Sequence, residues 1–146
     1  MTVATSPDFA TAWESFTRAT RRARSRSTGP LGGTGLTLAQ FQLLEPLRAA
    51  EEMPVSELAQ AAGVAVPTAT RMLDGLVRAG AAERTPSATD RRVVLVSLTA
   101  SGRDAVEAAW HQVDAERARV RDSLTEDERA QAAVLLAKLA EAIDAL

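Results

Sequence analysis

The cationic side chains of this chain are nearly all arginines: 16 of them against one lysine, with one histidine and no cysteine in the sequence. The missing cysteine excludes disulfides, thiolate metal sites, cysteine nucleophiles and thiol-based peroxide sensing. A lone His111 cannot furnish a histidine-rich zinc site, and a serine or metal hydrolase would have to use it for every proton transfer. These absences lead to the expectation of no catalysis, no metal and no cofactor, with His111 beside Trp110 as a surface or interface residue. Most abundant among the cations is the guanidinium, a forked set of donors that fits phosphates, carboxylates and the acceptor edge of guanine.

The arginines fall into islands. The formal charge is −2, yet residues 1–26 carry +3 and residues 65–92 carry +2, against −3 over 27–64 and −4 over 93–146. Arg18, Arg21, Arg22, Arg24 and Arg26 make the first island; Arg71, Arg78, Arg84, Arg91 and Arg92 make the second. Clustering sets the local field, so an acidic protein built this way can meet a polyanion without being a nonspecific coat for it.

At 146 residues the chain is long enough for one domain or two small interleaved ones, and 46% apolar with 25% charged residues fits a soluble globular protein. No basic-then-apolar leader opens it, and the uncharged run from Ser27 is broken by four glycines and Pro30. A cytoplasmic location without membrane contact is therefore expected. Thirty alanines and no tyrosine point to helix.

Pro7 suits a first helical turn, and Phe9, Trp13, Phe16 and Thr20 share one face of a helix running to about Ser25. Residues 27–35 read as a breaker-rich linker, because no strand precedes and no Lys-Ser/Thr follows to make a phosphate loop. Thr37 and Gln40 form a capping box for a helix carrying Leu38, Phe41, Leu44 and Leu47 to about Glu51, with Pro54 as punctuation. Ser56–Gly63 and Val66–Ala79 then make helix, short turn, helix, with Pro67 in the second helix's first turn and Gly63 and Gly80 as stops. Ala81–Thr85 and Arg92–Leu98 flank a turn and predict a two-stranded hairpin that must pack on those helices. Thr99 caps a long helix with Val106, Trp110, Val113, Arg117 and Val120 on one face, and Thr125 with Glu128 opens a last one. These outer helices need a partner to cover them.

Read together, LTLAQFQLL at 36–44, VSELAQAAGV at 55–64, TRMLDGLVRAGAAERT at 70–85 and DRRVVLVSLTASG at 90–102 resemble the MarR family of bacterial transcriptional regulators. The most specific piece is Asp90-x-Arg92 followed by V-x-L-T-x-x-G, together with T-R-x-L-D-x-L just upstream. The resemblance implies a mainly α fold with a two-stranded β wing. Residues 36–98 would be the winged helix-turn-helix, with residues 1–35 and 99–146 forming a helical dimerisation domain. It implies a homodimer that binds double-stranded DNA at a pseudo-palindrome, most often as a ligand-responsive repressor. The alternative from another class is a winged-helix adaptor or antirepressor without DNA affinity.

Carried onto this sequence, Val66, Pro67, Thr68, Thr70 and Arg71 occupy the exposed first half of the recognition helix. Arg71 either reads a base or phosphate or pairs with Asp74 three residues on. Ala65 departs from the family, where Ser or Thr caps that helix. Arg91 and Arg92 stand at the wing tip, where a cation can enter a minor groove, and Asp90 is expected to pair with Arg92 and shape the wing. The family also binds small anionic, often aromatic, effectors. Trp13 with Arg18, Arg21 and Arg22 is the candidate pocket, against a solvated face or extra phosphate contacts.

Overall fold

Local signals set most element boundaries in the computed structural model, which describes residues 7–26 and 29–146. The chain divides into two units, residues 1–110 and 111–146. Helix α1 (Phe9–Arg26) starts at Asp8 and not within the turn of Pro7, because the Asp8 carboxylate accepts from the Thr11 N–H at 2.9 Å. That bond holds the Asp8 carboxyl below its ordinary range. Ser27 and Thr28 of the expected linker lie outside the described residues.

The rest of that linker is a structured turn. Pro30 bridges Thr37, Leu31 N–H donates to the Leu36 carbonyl at 2.7 Å, and both leucines are buried. Gly33 and Gly35, at φ +81° and +75°, supply the left-handed residues that such a tight reversal needs. Breaker residues marked the reversal correctly, but its two leucines make it part of the core.

Helix α2 (Leu38–Leu44) opens with the Thr37–Gln40 capping box, both halves formed. The expected continuation to Glu51 tightens into a 3₁₀ segment, Glu45–Arg48, where Pro46 has no N–H for an α-helical bond. Strand β1 (Glu52–Pro54) leads into α3 (Val55–Ala62), which Gly63 stops in the left-handed conformation. Helix α4 (Val66–Arg78) follows, then β2 (Ala82–Pro86), β3 (Val94–Leu98) and α5 (Ala100–Asp122).

The wing hairpin is antiparallel as expected, with Ala82 opposite Leu98 and Pro86 opposite Val94. The sheet nevertheless has three strands, in the order β1-β3-β2, since Met53 pairs Val96 across the other edge of β3. Three residues are too few to show alternation in sequence, and Pro54 fits only because β1 is an edge.

Around this sheet α3 packs on α2 and α4, and α4 on β2. Phe41, Leu43, Leu44, Leu47, Leu58, Leu73, Val96 and Val106 are fully buried. Each such side chain contributes about 1.5 to 3 kcal/mol by leaving water.

The start of α5 is locked to the turn after α4. Thr99 Oγ1 donates to the Gly80 carbonyl at 2.6 Å and accepts from the Gly102 N–H at 2.9 Å; Ser101 Oγ also donates to Gly80 at 3.0 Å. Arg48 then clamps the next turns. Its guanidinium forms a two-point pair with Glu107, at 3.0 and 3.2 Å, and lies 3.9 Å over the Trp110 ring.

In the second unit, α6 (Glu126–Asp144) begins with the expected Thr125–Glu128 capping box. The Thr125 N–H holds the Glu128 carboxyl below its ordinary range. No residue of α6 is buried, and Val134, Leu135, Leu136 and Ile143 are each more than half exposed, as are Phe9 and Phe16 on α1. Among the described residues no helix is long and apolar enough to cross a membrane.

Gly102 is the tightest point of this packing, because a Cβ there would fall on the Ala81 carbonyl, which is backbone and cannot swing away. Gly102→Ala is expected to lower stability by about 2 kcal/mol or more, read from the urea midpoint at fixed protein concentration. A loss under about 0.5 kcal/mol, the range of surface changes, would show that α5 does not seat this closely.

Candidate nucleic-acid interface

Helix α4 turns one side to the core and the other to solvent. Ala69, Leu73 and Leu76 are buried, so at about 100° per residue Pro67, Arg71, Asp74 and Arg78 form the outward row. Val66 and Thr70 are exposed beside that row, and Thr68 is half-buried. The Thr70 hydroxyl donates back to the Val66 carbonyl at 2.9 Å, so its hydrogen is engaged within the helix. Ala65 gives the helix no side-chain cap, and Pro67 removes one first-turn donor that would otherwise need one.

The alternative of an Arg71–Asp74 pair is not what the structure adopts. Asp74 Oδ1 instead accepts from Arg84 Nη1 on β2 at 2.6 Å, while Arg84 Nη2 donates to the Thr70 carbonyl at 2.9 Å. Arg71 is exposed and, among the described residues, its side chain carries no hydrogen bond or ion pair. Arg78 Nε donates to the Asp74 carbonyl at 3.2 Å. Arg78 and Arg84 were absent from the sequence-derived interface. Arg78 was visible there as a cation seven residues after Arg71, whereas the ten-residue separation of Arg84 from Asp74 follows no local period.

The wing tip is shaped by Asp90. Its Oδ1 accepts from the Arg92 N–H at 3.0 Å and from Arg92 Nε at 3.3 Å, and Ser87 Oγ accepts from the Asp90 N–H. Arg92 keeps its terminal nitrogens in solvent, with 92% of its side chain exposed. Arg91 is exposed beside it with no partner among the described residues. A groove of about 390 Å³ separates wing from recognition helix, walled by Val66 and Thr70 on one side and Arg84, Val93 and Val94 on the other.

The four residues expected to line an effector pocket do not converge on α1. Trp13 is half-buried and stacks on Phe9 at 6.0 Å, whereas Arg18, Arg21 and Arg22 are exposed. Helical geometry puts Arg18 and Arg22 on the side away from Trp13. Arg21, eight residues after Trp13, lies nearer the Trp13 side.

Helix, turn, helix and a hairpin wing, with free cations on both the second helix and the wing tip, define a winged helix-turn-helix of the DNA-binding kind. The sequence profile of the MarR family matches residues 36–94. The chain is 37% identical over 110 residues to the HTH-type transcriptional repressor MdtR of Bacillus subtilis, covering 75% of this chain and 71% of that one. It is also 37% identical to the multiple antibiotic resistance protein MarR of Escherichia coli, covering 71% and 73%. A crystal structure of a mutant E. coli MarR complexed with operator DNA superposes with a TM-score of 0.74 at 31% identity, covering 92% of this chain and 99% of that one. This chain belongs to the MarR family of transcriptional regulators.

Asp90→Ala removes the acceptor that fixes the Arg92 amide. Hydrogen exchange over residues 87–93 is expected to rise about five- to tenfold while the amides of α4 stay protected. Unchanged exchange in the wing would remove Asp90 as its organiser.

Proposed function

We propose that the protein is a homodimeric, sequence-specific repressor of the cytoplasm that reads a pseudo-palindromic operator and has no catalytic role. The observation that carries this reading is the unpartnered Arg71 on the outward row of α4, with Arg91 free on the wing. A helix fits the roughly 12 Å major groove, where an arginine makes paired bonds to a guanine edge, with Val66, Pro67, Thr68 and Thr70 supplying apolar and phosphate contacts. Arg91 and Arg92 then reach the neighbouring minor groove, whose negative potential favours cations. Residues 36–98 form the DNA-binding domain in this reading. Residues 1–35 and 99–146 form the dimerisation domain, supported by the bare apolar faces of α1 and α6. Two copies place their recognition helices about 34 Å apart, one turn of duplex. Response to a small anionic aromatic effector belongs to the same reading through the family resemblance, and the α1 arginines alone do not make its pocket.

The test uses an operator selected from fragments of the genome that encodes the protein, titrated against a random duplex at several salt concentrations. Affinity should fall steeply with salt. Arg71→Ala should weaken operator binding by about 1 to 3 kcal/mol and narrow the preference over random duplex, whereas Arg91→Ala should weaken both duplexes evenly. Equal affinity for the two duplexes, or a flat salt dependence, would favour the protein-binding adaptor.

A further inference from the structure

We propose that Arg84 is a positioning residue whose task is to occupy Asp74 and so keep Arg71 available for DNA. The proposal rests on the reading of Arg71 as a DNA contact given above. Asp74 sits three residues after Arg71 and four before Arg78 on the outward row of α4, spacings at which helix side chains meet. Left alone, its carboxylate would be the nearest anion for either cation, and a negative group on the face that approaches phosphates.

The structure removes it from that competition by supplying a third guanidinium from outside the helix. Arg84 holds Asp74 Oδ1 at 2.6 Å and the Thr70 carbonyl at 2.9 Å, one donor to each. A lysine ammonium lacks that planar fork and cannot reproduce both bonds in one orientation. The anchor is firm, because Arg84 lies opposite fully buried Val96 on the central strand. The pair is partly solvated, with 29% of the Arg84 side chain and 49% of that of Asp74 exposed, so its contribution to stability is small. Its consequence lies in which partner Asp74 holds, and therefore in the state of Arg71.

The experiment measures operator and random-duplex affinity at one salt concentration for Arg84→Met, Asp74→Asn, the double variant and Arg71→Ala, with thermal midpoints alongside. Arg84→Met releases the carboxylate and should weaken operator binding roughly fivefold or more, since a dimer carries the change twice, with a lower operator preference. Asp74→Asn alone should bind operator at least as tightly as the parent, since it removes a negative group from the face that approaches phosphates. The double variant, with no carboxylate to capture Arg71, should return to within about twofold of the parent. The Arg71 Nε–H resonance of the free protein should shift in Arg84→Met and return in the double variant. A brace that merely stiffens the wing gives no such recovery.

A double variant as weak as Arg84→Met overturns the proposal. If Arg71→Ala binds like the parent, the reading of Arg71 itself fails; if Arg71→Ala is weak and the double variant is not rescued, only the role of Arg84 fails. Should Arg84→Met unfold below assay temperature, Arg84→Leu, which likewise leaves no cation for Asp74, makes the same comparison with and without Asp74→Asn, and rescue by Asp74→Asn is again the deciding result.

Discussion

The interface depends on the rotational setting of one helix. Ala69, Leu73 and Leu76 bury one side of α4, and a turn of one residue in either direction would expose a leucine and submerge a charge. That constraint is apolar, yet it decides the electrostatics, because it leaves Arg71, Asp74 and Arg78 as the row facing outward. Once the row is fixed, the wing becomes more than an appendage. β2 brings Arg84 onto Asp74, and β3, paired on both sides, holds β2 in place through buried Val96.

A second set of contacts ties this reading head to the long helix that leaves it. The hydroxyls of Thr99 and Ser101 converge on the Gly80 carbonyl, and Arg48 reaches from the 3₁₀ segment to Glu107 and the Trp110 ring. A stacked guanidinium that also makes a two-point pair is oriented on three sides, so one side chain fixes the first turns of α5. The clamp reaches Trp110, where the first unit ends. Phe9 and Phe16 of α1, and Val134, Leu135, Leu136 and Ile143 of α6, are each more than half exposed, apolar surface that a second copy would cover.

Signals that act within a few residues were legible in the sequence. Both capping boxes, the glycine stops at Gly63 and Gly80, the core side of α4 and the Asp90–Arg92 pair needed only spacing and residue type or, for the wing, a family motif. What escaped was set by partners distant in the chain. β1 is three residues long and exists because β3 offers an edge, and Leu31 and Leu36 turn an expected linker into core. Arg84 finds Asp74 ten residues away, and Arg48 finds Glu107 at a separation of 59. The effector residues on α1 were grouped by their nearness in sequence, and helical geometry sets Arg18 and Arg22 on the side away from Trp13.

In this structure's terms, two copies should read one duplex with two recognition helices on the same side. Hydroxyl-radical footprinting on the selected operator, with the mass of the complex measured in the same buffer, tests it most directly. Two chains per duplex are expected, with two symmetric protected patches about one helical turn, about 10 to 10.5 base pairs, apart. A single patch held by one chain, or protection that spreads without register along the duplex, would contradict it.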